Sequence, residues 1–73
     1  MSAHRKHHQI LGETIRTKRK KNGLSQEQLA EKANLSTVFI SRVERGKESP
    51  SVDSLVKIAT ALGLKVRNLV HGF

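Results

Sequence analysis

The feature that most constrains this chain is a pair of short segments, Ser25 to Ala33 and Ser36 to Gly46, separated by a turn too brief to act as a hinge. Ser25 is followed three residues on by Gln28. That is the spacing of a capping box, in which the hydroxyl accepts from a first-turn amide and the Gln side chain reaches back to the Ser backbone. Leu29, Ala30 and Ala33 then share one face at helical spacing. Asn34 stands where this helix must stop, and its side chain tolerates a left-handed backbone better than most. Ser36 can cap the next segment, which presents Phe39, Ile40 and Val43 before Gly46 ends it. A turn of about three residues then sets a fixed angle between two helices.

The same reading extends along the chain. A first helix is expected from about Gln9 to Asn22, with Leu11 and Ile15 on one face and Gly23 as its stop. Lys47-Glu48-Ser49-Pro50 reads as a loop, and Ser51 caps a fourth helix in which Val52, Leu55, Ile58, Ala59 and Leu62 recur. A short fifth helix from about Val66 to His71 carries Val66, Leu69 and Val70, with Phe73 beyond. No segment alternates in the manner of a strand. The expected fold is all-α, a compact bundle of five short helices.

Charge is distributed unevenly over these elements. Residues 1–23 carry seven Lys and Arg against Glu13, residues 24–64 are balanced, and Lys65 and Arg67 complete a net charge of +8. A neutral helical body with a basic amino-terminal third can steer toward phosphate and release counterions on contact. Taken alone, Lys18 to Lys21 could equally close a helix, where cations suit the negative end of the dipole. Seventy-three residues make one domain near the lower limit for a self-sufficient core, so dimerisation is a natural source of added stability. Cysteine is absent, which removes disulfide and thiolate chemistry, and no apolar run approaches the length of a membrane span or a signal-peptide core. A cytoplasmic protein is expected.

Four fragments in fixed order now carry a resemblance. They are Gly23-Leu24-Ser25-Gln26 with Leu29-Ala30, then Ile40-Ser41-Arg42-Val43-Glu44-Arg45-Gly46, then Pro50-Ser51, then Ile58-Ala59 with Ala61-Leu62-Gly63. Together they cover about residues 10–70. The chain resembles the helix-turn-helix family of lambdoid phage repressors and Cro proteins, the XRE family, which includes restriction-modification controller proteins. The resemblance implies a lambda-repressor-like DNA-binding domain over residues 10–73 with its helix-turn-helix at about 25–46. Residues 1–9, with His4, His7 and His8 among Arg5 and Lys6, form a basic arm or tail outside the minimal motif.

The resemblance also implies roles residue by residue. The third helix lies in the major groove of a pseudo-palindromic operator, with Thr37, Val38 and Arg42 at base-facing positions and Gln26 reaching a base from the second helix. Arg42 is the sharpest of these, because a guanidinium bonds bidentately to guanine O6 and N7. Ser25, Ser36, Phe39, Ser41, Arg45 and Lys47 match positions at the DNA backbone. Arg19 and Glu44 match a partly buried ion pair tying the first helix to the third. Leu64, Val66, Leu69, Val70 and Phe73 match a two-fold dimer interface, so the implied partners are double-stranded DNA and a second copy of the chain. The chain has Lys18 where many relatives carry leucine, and its methylene stem can cover the core while the amine reaches solvent.

Catalysis is not expected, since the sequence has no cysteine nucleophile, no glycine-rich phosphate loop and no metal-ligand cluster. No cofactor or metal is expected either. The histidines at 4, 7 and 8 have helical spacing but lack a carboxylate or cysteine companion. Two other readings stay open. One is an antitoxin or adaptor acting through a protein partner, with Phe39 or the C-terminal apolar cluster as the contact. The other is a nucleic-acid-binding module without base readout. Both predict that substitutions at Thr37, Val38 and Arg42 matter little.

Overall fold

A computed structural model describes residues 3–70, with side chains from Lys6 onward. Five helices follow one another: α1 Ala3–Lys21, α2 Gln26–Ala33, α3 Thr37–Glu44, α4 Val52–Ala61 and α5 Val66–Val70. There is no strand among the described residues.

The expected caps are present. Gln28 N donates to Ser25 Oγ at 3.0 Å and Ser25 N donates to Gln28 Oε1 at 2.8 Å, closing the capping box of α2. Phe39 N donates to Ser36 Oγ and Ser54 N to Ser51 Oγ, starting α3 and α4 in the same way. The helix ends share a device too. Gly23, Asn34, Gly46 and Gly63 all have positive φ. The amide that follows each one donates back five residues: Leu24 to Arg19 O, Leu35 to Ala30 O, Lys47 to Arg42 O and Leu64 to Ala59 O. This six-to-one closure satisfies carbonyls that a helix end would otherwise leave open. In three cases the next side chain is a leucine that packs against the core, so one turn both ends a helix and returns the chain inward.

α1 differs from its expected span. It begins at Ala3 rather than Gln9, making residues 3–9 helical and continuous with the basic helix. No breaker separates the two stretches. The backbone of Gln9 also lies against the turn after α3, where a Cβ on Gly46 would stand 3.2 Å from Gln9 Cα.

The core joins all five helices. Leu11 and Ile15 of α1, Leu29, Ala30 and Ala33 of α2, Ile40 and Val43 of α3, Ile58 and Ala59 of α4 and Leu69 of α5 are buried together, with Leu62 just past α4. α3 packs against α1 and α2, α2 also packs against α4, and α5 bridges α4 and α1. Two expectations about apolar residues are corrected. Val52 has the helical spacing of the buried face, seven residues before Ala59, but in the first turn of α4 it is 75% exposed, and Val56 one turn on is 46% exposed. Leu69 is fully buried within the monomer, since α5 wedges it between α1 and α4, and it offers nothing to a second copy.

Candidate nucleic-acid interface

The orientation of α3 is set by a buried polar cluster at its carboxyl end. Arg19 of α1 donates from Nε to Glu44 Oε2 at 2.6 Å and from Nη2 to Glu44 Oε1 at 3.0 Å, while its Nη1 donates to Leu24 O at 2.8 Å. Gln26 Nε2 also donates to Glu44 Oε1, at 3.0 Å. The Glu44 carboxylate thus holds α1 and α2 against α3, and the Arg19 guanidinium holds the turn between them. Every buried side-chain N or O atom among the described residues has a hydrogen-bond partner. Such a cluster is tolerable in a small core only when fully satisfied.

Gly12 adds a second constraint that the sequence reading passed over. A Cβ on Gly12 would collide with Val43 O and, at 2.5 Å, with Glu44 O. α1 therefore touches the last carbonyls of α3 backbone to backbone. An isolated glycine within a helical pattern is the available signal for such an approach.

With its inner side clamped, α3 turns a defined stripe outward. Thr37, Val38, Arg42 and Arg45 are exposed, and Ser41 is half-buried. Val38 is 69% exposed, so its methyl groups are presented on the outer face of α3. Residues 38, 42 and 45 follow one another at four and three, so they share a face. Arg45 Nε donates to Ser41 O at 3.3 Å. Arg42 Nε donates to Glu48 Oε1 at 3.1 Å and Nη2 to Lys47 O at 3.2 Å. Ser25 and Ser36 stand at the amino ends of α2 and α3 beside this stripe, and Lys47 is exposed just past it.

Several expected site residues sit differently. Gln26, expected to reach a base, is half-buried with its amide nitrogen on Glu44 and links α2 to α3. Phe39 is half-buried, with part of its ring packed against the core. Leu64, Val66 and Val70 are partly buried, whereas Phe73 lies outside the described residues. His4 likewise falls outside the described side chains, and no group of three metal-ligating side chains occurs among the described residues. Glu48 lies in the loop between α3 and α4. Its pairing with Arg42 spans six residues, outside the three and four spacings that mark helical neighbours, and arises from the turn at Gly46.

Two short helices locked at a fixed angle, with a polar and basic stripe on the second, define a helix-turn-helix domain of the kind found in DNA-binding transcriptional regulators. The chain belongs to the HTH_3 helix-turn-helix family, whose model matches residues 15–69. It is 43% identical over 60 residues to the immunity repressor protein of Bacillus phage phi105, covering 82% of this chain and 42% of that protein. It is 40% identical over 62 residues to the control protein C.SmaI of Serratia marcescens, covering 85% of this chain and 74% of that one. The crystal structure of the restriction-modification controller protein C.AhdI from Aeromonas hydrophila superposes with a TM-score of 0.84 at 37% identity, over 85% of this chain and 94% of that one. The chain thus spans less than half the phage repressor and most of the controller proteins. The all-α expectation and the family resemblance both hold. No helix among the described residues is long and apolar enough to cross a membrane.

Proposed function

We propose that this domain binds double-stranded DNA in a sequence-specific way as a cytoplasmic, non-enzymatic regulator. α3 enters the major groove and reads base edges with Thr37, Val38 and Arg42. Ser25, Ser36, Ser41, Arg45 and Lys47 hold the backbone around it, aided by the positive amino end of α2. The observation that carries this reading is the outward stripe of α3, where an exposed valine stands one turn from an exposed arginine on a helix clamped from behind by Arg19 and Glu44. Valine suits a thymine methyl and arginine suits guanine, and a rigid helix presents both in register. Gln26 acts as a helix link in this account.

Two copies act together. The available apolar surface is Val52 and Val56 of α4 with the half-covered Leu64, Val66 and Val70 around α5. Pairing of two copies sets recognition helices about 34 Å apart on successive turns of one face of the duplex.

The test is Arg42→Ala measured against a selected binding site and its single-base variants. Discrimination should fall by about 1–3 kcal/mol at one base pair per half-site and stay unchanged elsewhere. Weakening that is uniform across all sequences would make Arg42 a phosphate contact and contradict base reading.

A further inference from the structure

We infer that Glu48 is a positioning residue for base recognition, holding the Arg42 guanidinium so that its outer edge faces the groove. This rests on the reading of Arg42 as a base contact. The turn at Gly46 supplies the geometry. Gly46 has φ of 73°, and the closure it permits brings Lys47 N onto Arg42 O at 2.9 Å. Lys47 and Glu48 therefore fold back over the last turn of α3, and the guanidinium meets Glu48 Oε1 through Nε and Lys47 O through Nη2.

A guanidinium has five N–H donors in a fixed plane. Glu48 and Lys47 occupy the edge formed by Nε and Nη2, while Nη1 takes no hydrogen bond among the described residues. That leaves the outer edge, Nη1 with the second Nη2 hydrogen, as a parallel pair of donors suited to guanine O6 and N7. The two bonds to the loop and the two bonds to a base are thus compatible on one side chain. Holding the arginine in advance reduces the rotamer freedom it must lose on binding. Glu48 also adds a negative charge beside the phosphate backbone, which disfavours indiscriminate attachment. The pair is too exposed to serve chiefly as a stabilising bridge: the side chains are 46% and 37% accessible, and ion pairs of that kind contribute little to folding.

The experiment compares wild type, Glu48→Ala, Glu48→Gln, Arg42→Ala and the Arg42→Ala/Glu48→Ala double variant on a selected duplex and on the same duplex with the Arg42-dependent guanine replaced. The ratio of the two dissociation constants is the readout, and melting temperatures check that each variant is folded. Glu48→Ala should keep the wild-type melting temperature and reduce the ratio about tenfold, within the span a bidentate contact commands. Glu48→Gln removes the same charge but keeps an oxygen for Nε, and should retain more of the ratio. In the Arg42→Ala background, Glu48→Ala should leave the ratio unchanged. Three results would overturn the inference: a wild-type ratio in Glu48→Ala, equal losses in Glu48→Ala and Glu48→Gln, or a further loss in the Arg42→Ala background. A wild-type chain with no sequence preference overturns both this inference and the reading beneath it, whereas a preference that Arg42→Ala weakens and Glu48→Ala preserves overturns only the role of Glu48.

Discussion

Arg19 and Glu44 stand 25 positions apart in the chain and meet through two hydrogen bonds, with only 9% and 3% of their side chains exposed. The pair locks α1 to the carboxyl end of α3, and Gln26 brings α2 to the same carboxylate. The angle of the outward stripe on α3 is therefore fixed from within the fold, before any DNA is present.

Glu44→Ala should lower the melting temperature steeply. Stranding a buried guanidinium costs about 3–5 kcal/mol. Each kcal/mol corresponds to roughly 4–8 °C in a domain of this size. Replacing both partners, Arg19→Met with Glu44→Leu, should recover much of the loss, because no charge is then left unpaired. Thermal melts followed by circular dichroism decide it, and an unmoved melting temperature in Glu44→Ala would contradict the clamp.

Gly12→Ala offers a test in which local propensity and packing disagree. Alanine favours a helix interior over glycine by about 1 kcal/mol. Here its methyl would strike Val43 O and Glu44 O, and overpacking of this kind costs roughly 1–3 kcal/mol. A net fall in stability in urea or thermal unfolding is expected, since the obstacle is backbone and cannot rotate away. A gain in stability would show that α1 and α3 are not in backbone contact.

Asn34 holds the turn between α2 and α3 at φ 57° and ψ 46°. Asn34→Gly should be nearly neutral. Asn34→Val should cost on the order of 1–2 kcal/mol, because a branched side chain clashes in the left-handed region. Equal stability of the two variants would mean that the turn does not need this backbone conformation.

The sequence made the element boundaries legible where short-range chemistry sets them. Ser25 with Gln28, Ser36, Ser51 and Asn34 all act within four residues of themselves, and each does in the structure what its spacing implies. The Arg19 and Glu44 pair is a long-range contact, and it was legible only through the family resemblance. Features set by how whole helices dock were hidden. Val52 matches the apolar period of α4 yet points outward, and Leu69 is buried because α5 lies between α4 and α1. The amino-terminal extension of α1 was obscured because residues 3–9 carry no apolar stripe of their own.

Association through the exposed apolar side chains can be examined without DNA. In sedimentation equilibrium the 8.1 kDa chain should show a concentration-dependent mass approaching twice that value. Val56→Lys should shift the balance toward monomer while leaving the fold intact, since Val56 is 46% exposed and contributes little to the core. A single species of monomer mass at all concentrations would contradict the dimer.

The central claim is that α3 reads sequence as one of a pair. Selection of bound duplexes from a random DNA pool at near-physiological salt tests it most directly. The expected product is an inverted repeat with half-site centres about one helical turn apart, at roughly 34 Å, and with at least one base pair whose enrichment disappears in Arg42→Ala. Retention of DNA with no enriched motif would contradict the claim and leave only phosphate attraction from the basic surface.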